Sequence, residues 1–334
     1  MVGISHHTAP VGVREQLAFT SAELDALLTG LRAADRHALL LSTCNRFEIY
    51  WSGPHDYEGW FSELAAARGV PVTHALVRLD GPAAARHLFG VAAGLDSQVV
   101  GETEVLGQVR RAYDAARAAG VTTREMDLIF SAALSAGRRV RHETSLGRHP
   151  ASVSAAAVEV AARELAGEIG DCSVVVLGAG EAAEGVLRSL HLTGATKVRL
   201  VNRSAERALT LATAWGASPH GWDEVDRLLG GADLLFVATG ASRPVLSVEQ
   251  LARVTAGRAG PLVTLDLSVP RNVEPDARAL AGVRLFDLDD LQRLCCPAAA
   301  APAAALEDAE RVVNEELARL EQQLRGLAAA PRLA

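Results

Sequence analysis

The sequence contains almost no lysine and no long apolar stretch. Lys197 is the only lysine, so all but one of the 33 basic residues are arginine. Schiff-base chemistry would depend on that single amine, which nearly excludes this class of enzyme. No apolar run approaches the ~18 residues of a transmembrane helix, and no basic segment followed by an apolar one opens the chain. These absences indicate a soluble, cytoplasmic protein with no membrane partner.

Cysteine is also scarce. Cys44, Cys172, Cys295 and Cys296 are too few for a disulfide framework in a chain of 334 residues. Cys295 and Cys296 are adjacent and no CxxC pair occurs, so zinc-ligand spacing is absent and we expect no metal site. This cysteine usage is typical of a protein that works in a reducing compartment.

Length and charge limit the remaining classes. A chain of 334 residues predicts two or three domains, and an apolar content of 49% is sufficient for a core in each. The formal net charge of −7 and the pI of about 5.8 argue against a surface that is basic throughout. They do not exclude a local basic face for nucleic acid.

The segment 41–50 (LSTCNRFEIY) carries the first chemical signal. Apolar residues precede it, and apolar and polar residues alternate after its polar centre, which predicts two strands joined by a turn. Cys44 lies in that turn, two residues before Arg46. A nearby cation favours the thiolate, which is the nucleophilic form of cysteine. The residues alone also permit a second interpretation, in which Cys44 is a small buried apolar side chain.

A second polar segment spans 94–108 (GLDSQVVGETEVLGQ) and leads into a predicted helix that ends near Ala119. Its hydrogen-bonding side chains are dense for an otherwise apolar protein, and such groups need partners. A ligand that carries charge and an amine would supply them. A capped helix start on the surface is the alternative.

Arginines are concentrated between residues 132 and 148. Arg138, Arg139, Arg141 and Arg148 occur there with a single acid, Glu143. This local excess in a net-acidic chain is a candidate phosphate-contacting face. A solvated helix surface is the alternative interpretation.

Residues 171–290 have the pattern of a dinucleotide-binding fold. A buried-strand run that ends at Leu177 is followed by a GxGxxA sequence and a helix. The glycines let the backbone approach a pyrophosphate, and the helix N-terminus offers unpaired N–H groups. The predicted cofactor contacts in this turn are Gly178, Ala179, Gly180, Glu181, Ala182 and Ala183.

The second strand of this fold ends in Asn202, Arg203 and Ser204. A site that prefers NAD usually carries an acid here for the ribose hydroxyls, whereas Arg203 and Ser204 suit a 2′-phosphate. The sequence therefore predicts NADP(H). Polar turns at 239–240 and 268–272 follow two further strands, at the strand ends where ligands bind in open α/β sheets.

Near the C-terminus, an alanine- and proline-rich linker at 296–304 precedes a heptad-like apolar pattern from Val313 to Leu327. The pattern predicts a helix over 305–328. A coiled coil and an ordinary helix packed on its own protein both fit, because fewer than four heptads are present.

Taken together and in order, six segments resemble glutamyl-tRNA reductase, the NADPH-dependent enzyme family that begins tetrapyrrole synthesis from glutamate. The segments are Gly3–Phe19 (GISHHTAPVGVREQLAF), Ser42–Glu48 (STCNRFE), Gly94–Val109, Gly137–Ala157, the Gly178 loop and Asp266–Pro275 (DLSVPRNVEP). The resemblance extends over nearly the whole chain to about residue 327. It implies an α/β protein whose parts are an N-terminal α+β catalytic domain over 1–150, a long connecting helix over 151–170, a Rossmann-type NADP-binding domain over 171–295 and a C-terminal helix over 305–328.

The resemblance also implies roles for site residues. Matching the STCNR motif makes Cys44 the nucleophile that attacks the ester joining glutamate to tRNA. The resulting thioester accepts a hydride from NADPH and gives glutamate-1-semialdehyde. His87 matches a histidine with a proposed assisting role, and a packed core histidine is the alternative. Glutamate recognition is assigned to Thr43, Asn45, Arg46, Ser97, Glu102, Thr103, Glu104 and Gln108.

The chemistry of these side chains agrees with that assignment. Arg46 suits the side-chain carboxylate of the substrate, and Glu102 and Glu104 suit its ammonium group. The tRNA-facing region of the family includes the segment of Arg138, Arg139 and Arg141. Glutamyl-tRNA is therefore the implied partner, and the downstream aminomutase is a second candidate.

One difference from the family bears on assembly. Its members continue further, into a helical dimerisation domain, so the homodimer expected of the family is in doubt for this sequence. Two other functions stay open. One is an NADP-dependent dehydrogenase of the shikimate type, which needs no thiol, and the other is a non-catalytic homologue that binds tRNA.

Overall fold

The computed structural model describes residues 1–147, 152–165, 169–295 and 302–329. Arg148 of the arginine cluster and Cys296 lie outside these residues. The chain forms two compact units. They are Met1–Ala151 together with Ala299–Ala334, and Ser152–Ala298.

Strands and helices alternate along most of the described chain. The strands are β1 (Val2–Ser5), β2 (Ala38–Ser42), β3 (Arg46–Trp51), β4 (Val77–Arg78), β5 (Ser173–Leu177), β6 (Lys197–Val201), β7 (Ser218–His220), β8 (Leu234–Val237), β9 (Leu262–Asp266) and β10 (Val283–Phe286). The α-helices are α1 (Val11–Arg14), α2 (Ser21–Ala33), α3 (Tyr57–Ala67), α4 (Gly81–Ala92), α5 (Glu104–Ala119), α6 (Arg124–Glu143), α7 (Val153–Glu164), α8 (Glu181–Leu192), α9 (Ala205–Trp215), α10 (Val225–Gly230), α11 (Val248–Thr255), α12 (Leu288–Cys295) and α13 (Ala303–Ala329).

The sheet of the first unit is antiparallel, with the strand order β2-β3-β1-β4. Ser42 pairs with Phe47 across β2 and β3, and Ser5 pairs with Arg46 across β1 and β3. Residues 43–45 form the connection between β2 and β3, so the predicted strand, turn and strand are confirmed. The register places the end of β1 beside this turn.

Aromatic side chains fill the core around β3. Phe47 contacts Phe19 and Phe61, and Tyr50 meets Phe130 edge-on with 5.5 Å between ring centroids. Helix α5 packs against β2 and α2, whereas α6 packs against α4. Since aromatic rings bury large apolar areas, this core holds the strands that carry the turn in one place.

Helix α13 packs on its own unit, against α6 and α4. Val313 and Leu320 of the heptad-like pattern are buried, and Leu317 and Leu324 lie against the same core. The pattern therefore marks the face that covers the first unit. The helix has 27 residues but a charged outer surface. Among the described helices, none combines the length and the apolar character that crossing a membrane requires.

The second unit is a parallel six-stranded sheet with the order β10-β9-β8-β5-β6-β7. Strand β5 lies between β6 and β8, so the strand order reverses at its carboxyl end, where open α/β sheets bind ligands. Its residues Val174–Leu177 are fully buried, as expected of a strand covered on both faces. The predicted α/β fold with a Rossmann-type domain is confirmed.

The connecting helix is shorter than expected. Where the sequence predicts a helix over 151–170, α7 ends at Glu164, and a 3₁₀ turn at Ile169–Asp171 precedes β5. Ser152 caps α7 by accepting a hydrogen bond from the N–H of Ala155. The helix belongs to the second unit, where it packs on α8 and α12.

Helices α6 and α4 approach each other closely at Gly137. A Cβ atom at this position would lie 2.4 Å from the carbonyl oxygen of Ala92, whereas one at Gly30 on α2 would meet nothing within 4 Å. We expect Gly137→Ala to lower the free energy of unfolding by about 1–3 kcal/mol, the usual cost of overpacking. The control Gly30→Ala should leave it unchanged or raise it by up to about 1 kcal/mol. Urea unfolding followed by circular dichroism measures both, and equal stability of the two variants would contradict the packing described.

Candidate active site

The turn that carries Cys44 is fixed by hydrogen bonds of two side chains, one from the turn itself and one from α1. The hydroxyl oxygen of Thr43 accepts hydrogen bonds from the N–H groups of Asn45 and Arg46, at 3.1 and 3.2 Å. Arg14 donates from Nη1 to the carbonyl oxygen of Cys44 at 2.7 Å and to Oδ1 of Asn45 at 3.0 Å. Thr43 and Asn45 therefore shape the turn itself.

Arg14 is a site residue that no sequence motif predicts. Its Nε atom also donates to the carbonyl oxygen of Ala9 at 3.1 Å, and the residue is only 4% exposed. Arg14 lies 30 positions before Cys44, so no local pattern links the two residues. The only available signal was its place within the Gly3–Phe19 segment.

The thiol of Cys44 is not activated by its neighbours. Burial raises the pKa of this half-buried cysteine to about 12, and the negative charges of Glu102 and Glu104 add to the rise. The positive charge of Arg14 acts in the opposite direction. The expectation that Arg46 favours the thiolate is wrong, because the guanidinium that faces Cys44 belongs to Arg14 and does not outweigh burial.

Arg46 is instead the centre of a buried ion network. Its Nη1 atom lies 2.9 Å from Oε1 of Glu48 and 2.9 Å from Oδ2 of Asp96, and Nη2 donates to the carbonyl oxygen of Asp96. The Arg46 and Glu48 side chains are 1% and 2% exposed. Burial opposes ionisation of Glu48, but Arg46 and the hydrogen bond from His87 outweigh it and hold its pKa at about 2.

This network changes the role assigned to Arg46. Both of its carboxylate partners come from the protein, so the guanidinium is not free to bind a substrate carboxylate directly. Asp96 is the replaceable partner, since its side chain is 27% exposed and that of Glu48 is 2% exposed. A substrate carboxylate would reach Arg46 only by displacing Asp96.

His87 belongs to the same network. Its Nε2 atom lies 2.9 Å from Oε1 of Glu48, and Nδ1 lies 3.7 Å from Oδ2 of Asp96. Its side chain is 19% exposed. The ring therefore connects α4 to the Arg46 network, which places His87 at the edge of the site and not in the apolar core.

The segment 94–108 folds into a tight loop before α5. Gly94 has φ +75°, and a Cβ atom there would lie 2.8 Å from the carbonyl oxygen of Glu102. The N–H of Gly101 donates to the carbonyl oxygen of Gly94 at 2.9 Å, which closes the loop. Arg141 donates from Nη2 to the carbonyl oxygen of Thr103 at 2.7 Å. Arg141 is thus half-buried and holds this loop. Its expected contact with tRNA stays a prediction.

Glu102 is the buried acid of this loop. It is 4% exposed, and burial together with the charge of Glu104 raises its pKa to about 7. A hydrogen bond from Ser97 and the charges of Arg46 and Arg141 oppose the rise. Of the predicted site residues, Cys44, Glu102 and Glu104 are therefore brought close enough to influence one another electrostatically.

Gln108 lies one turn into α5 and faces a groove that is also lined by Ser42. Thr103 precedes the helix without capping it through its side chain, and Glu104 lies in the first turn. The residues predicted to recognise glutamate come from the Cys44 turn itself, from the start of β3, from the 94–103 loop and from the start of α5. Their contacts with glutamate stay a prediction.

Of the predicted arginines on α6, Arg139 is bound in ion pairs and Arg138 is exposed to solvent. Arg139 is bound by three carboxylates, those of Glu143, Glu315 and Glu316, at 2.7–2.9 Å. Its charge is neutralised by α6 and α13, which contradicts its expected contact with phosphate. Arg138 is exposed to solvent.

The glycine turn of the second unit has the geometry that a phosphate-binding turn requires. Gly178 has φ +111°, and a Cβ atom there would lie 2.1 Å from the carbonyl oxygen of Ala238. Gly180 precedes α8, whose first turn contains Glu181. A Cβ atom at Gly180 would meet nothing within 4 Å, so the space in front of the helix is open. This cradle fits a pyrophosphate.

Of the other residues predicted in this turn, some line a cavity and others pack within the second unit. Ala179 and Ser204 line one cavity of about 410 Å³. Ala183 is fully buried, and the carbonyl oxygen of Ala182 accepts a hydrogen bond from Ser154 at 3.0 Å. Ala182 and Ala183 therefore fix the helix, whereas Ala179 faces the cavity.

Two arginines, Arg203 and Arg207, follow β6, and Arg207 lines this cavity. The guanidinium carbon of Arg203 lies 5.5 Å from the centroid of the Trp222 ring. Asn202 donates to the carbonyl oxygen of Ser204 at 3.1 Å, and the Ser204 hydroxyl caps α9. Arg207 also lines the cavity. The sequence alone does not single out Arg207, because it lies inside a helix beyond the Asn-Arg-Ser motif.

Asp266 organises the polar turn after β9. Its carboxylate accepts hydrogen bonds from the N–H groups of Ser268, Asn272 and Val273 at 2.7–3.0 Å. Burial raises its pKa to about 6 in spite of these bonds. Asn272 in turn accepts a hydrogen bond from Thr239 after β8. The two predicted polar turns therefore meet at the carboxyl end of the sheet.

Two family models match the chain, and each covers one of these sites. Residues 2–144 match the N-terminal domain of glutamyl-tRNA(Glu) reductase, and residues 159–294 match shikimate/quinate 5-dehydrogenase. The first range contains the Cys44 turn and the Arg46 network. The second contains the parallel sheet and its glycine turn.

Known proteins match over almost the whole chain. A glutamyl-tRNA reductase of Deinococcus radiodurans is 40% identical over 320 residues, which cover 94% of this chain and 89% of that protein. Glutamyl-tRNA reductase 2 of Anaeromyxobacter dehalogenans is 37% identical and covers 100% and 75%. The solved structure of glutamyl-tRNA reductase from Methanopyrus kandleri is 33% identical, with a TM-score of 0.52, and covers 98% of this chain and 80% of that one.

The charge around Cys44 can be tested by alkylation. In a chain whose other three cysteines are replaced by serine, we expect Glu102→Gln to increase the rate of modification by iodoacetamide at pH 8. Removing a neighbouring negative charge lowers the thiol pKa, and each unit of pKa changes the thiolate fraction about tenfold. The control Glu63→Gln alters an exposed acid of α3 and should have no effect. An unchanged or slower rate in the Glu102 variant would refute the electrostatics described.

Proposed function

The chain belongs to the glutamyl-tRNA reductase family, and we propose that it reduces glutamyl-tRNA to glutamate-1-semialdehyde with NADPH, the first step of tetrapyrrole synthesis. The observation that carries this proposal is the STCNR turn, which presents one cysteine between an arginine and two acids in the first unit. A dinucleotide-binding fold follows in the same chain. The reaction needs both parts.

In the first step, the Cys44 sulfur would attack the ester carbonyl carbon of glutamyl-tRNA. A C–S bond forms, and the C–O bond to the terminal ribose breaks, with a proton passing to the leaving oxygen. The ester is already activated, so the step needs a thiolate but no further activation of the acyl group. The acyl group is then a thioester of Cys44.

Substrate binding would itself help to ionise the thiol. Glu102 and Glu104 raise the pKa of Cys44 through their negative charges, in addition to the effect of burial. The ammonium group of a bound glutamyl residue would compensate those charges, because its positive charge offsets their repulsion of the thiolate. In this proposal Glu102 and Glu104 bind the ammonium, and the unoccupied site keeps its cysteine protonated and unreactive.

The side-chain carboxylate of the substrate would approach Arg46 on the side of Asp96. His7 and His87 lie beside Asp96, with Nε2 of His7 2.8 Å from its Oδ1 atom. These partners give Asp96 an alternative to Arg46 when it is displaced. His87 would therefore act on Asp96 and Glu48, and through them on Arg46.

A pyridine nucleotide is the cofactor of the second unit. When bound, this group would supply the hydride that adds to the thioester carbon, after which the C–S bond breaks and the aldehyde and the Cys44 thiolate are released. Gly178 and Gly180 would hold its pyrophosphate. Arg203 and Arg207 would bind a 2′-phosphate, which favours NADPH over NADH.

The alternatives explain less of the chain. A shikimate-type dehydrogenase accounts for residues 159–294, but its reaction needs no thiol and gives the Cys44 turn no role. A non-catalytic homologue that binds tRNA would not need an intact thiol and glycine turn together. Uptake of the reactive aldehyde by the downstream aminomutase stays part of the proposal, and a homodimer stays a prediction from the family resemblance.

Replacing the nucleophile gives a direct test. We expect Cys44→Ser to abolish NADPH consumption with glutamyl-tRNA, followed at 340 nm, because a serine hydroxyl ionises far less readily than a thiol. NADPH binding, followed by its fluorescence, should be unchanged. Cys172→Ser is the matched control and should keep full activity, since Cys172 precedes β5 in the other unit. Turnover by the Cys44 variant would end the proposal.

Cofactor preference tests the role of Arg203. We expect Arg203→Ala to raise KM for NADPH about 10- to 100-fold, because a hydrogen bond to a charged group contributes about 1.5–3 kcal/mol. KM for NADH, which lacks the phosphate, should change less than about twofold. Arg188→Ala, at an exposed position on α8, is the control. Equal effects on the two cofactors would contradict the 2′-phosphate site.

A further inference from the structure

A groove runs between α2 and α5 in the first unit, with β2 as its floor. On α2 it is lined by Leu24, Asp25 and Leu28, and on α5 by Gln108, Ala112 and Ala115. Each set repeats at the spacing of one helical turn, so each helix presents one continuous face to the groove. We call this feature the α2–α5 groove.

Both helices of the groove run in the same direction. Arg32 at the end of α2 donates to the carbonyl oxygen of Ala119 at the end of α5, at 3.4 Å. The helix starts therefore share the other end, where Gln108 and the strand residue Ser42 line the groove. Ser42 is two residues from Cys44. Ser42 is the last residue of β2, so one end of the groove lies at the base of the Cys44 turn.

The lining has the composition of a ligand site. The apolar part of the lining contains Leu28 of α2 and Leu40 of the β2 floor, which are 5% and 4% exposed. No described residue forms a hydrogen bond with the side chains of Asp25, Ser42 or Gln108. The volume is about 330 Å³, within the range of about 300–1,000 Å³ that is usual for small-molecule sites. An apolar surface with a few convergent polar groups suits a flat heterocycle attached to a polar sugar.

We propose that the α2–α5 groove binds the terminal adenosine of the tRNA, an inference that rests on the proposed function. The ester bond joins the glutamyl group directly to the terminal ribose, so that ribose must lie next to Cys44 when the carbonyl carbon meets the sulfur. Ser42 and Gln108 are placed to bind ribose hydroxyls. The adenine would pack on the apolar floor, with its amino group donating to Asp25.

Charge and continuity favour this occupant over others. Ser42, where β2 ends and the Cys44 turn begins, lines the groove, so a nucleoside bound there would lie on the side of the turn from which its acyl group must reach Cys44. Arg111 also lines the groove, where its guanidinium suits the phosphate that precedes the terminal nucleoside. The groove would therefore supply affinity for the acceptor end independently of the glutamyl group.

Two small esters separate this site from the glutamate site. One is the 2′(3′)-glutamyl ester of adenosine, and the other is the α-ethyl ester of glutamate. Both carry the same acyl group, and only the first carries the nucleoside. With NADPH present and consumption followed at 340 nm, we expect the wild-type protein to have at least a tenfold higher kcat/KM for the adenosine ester.

Filling the groove should remove that preference. Ala115 is exposed on α5, and we expect Ala115→Trp to lower kcat/KM for the adenosine ester about tenfold and for the ethyl ester less than twofold. Asp25→Ala should have the same selective effect with a smaller loss. Ala118→Trp adds the same bulk at an exposed position of α5 outside the groove and should change neither value. Activity with the ethyl ester shows that each variant is folded.

The possible failures are distinguishable. If the wild type turns over both esters equally, or if Ala115→Trp affects both equally, the groove does not hold the nucleoside, and the proposed reaction is untouched. If the wild type consumes no NADPH with either ester or with glutamyl-tRNA, the proposed function itself is wrong and the assignment of the groove falls with it.

Discussion

The buried ion pair between Arg46 and Glu48 is the interaction on which the first unit's site depends. Two residues of one strand carry it, so both side chains leave the same face of β3. Charges this deeply buried are stable only when every partner is in place. Glu48 binds His87 of α4 and Tyr50 of β3, and Arg46 binds Asp96 of the 94–103 loop. The pair therefore ties a strand, a helix and a loop around the Cys44 turn.

The charged groups around Cys44 explain why its thiol stays protonated. The cation nearest to Cys44, Arg14, is largely committed to the carbonyl oxygens of Ala9 and Cys44 and to Asn45, where it shapes the turn. The nearest acids are Glu102 and Glu104, which oppose ionisation. Burial and these acids keep the pKa of the thiol high. In the proposed reaction the ammonium group of the aminoacyl ester would lower it, which would link the reactivity of Cys44 to recognition of the substrate.

Much of this could be predicted from the sequence, because it depends on local patterns. Alternating apolar residues predicted the strands on either side of Cys44, and the glycine turn before α8 predicted the Rossmann-type sheet. The partners of the charged side chains could not be predicted, since they depend on contacts between distant segments. Arg46 and Arg139 both looked available for a ligand, and both are bound by acids. Arg14 and Arg141, which hold the turn and the loop, could be recognised only once the fold placed them there.

The central claim is that Cys44 becomes covalently acylated by the glutamyl group of tRNA. Mass spectrometry of the intact protein, mixed with glutamyl-tRNA in the absence of NADPH and quenched in acid, tests it most directly. The expected result is a mass gain of one glutamyl group, located on Cys44 by peptide mapping and lost when NADPH is added before the quench. Consumption of NADPH with no adduct on Cys44, or an adduct on another residue, would contradict the account.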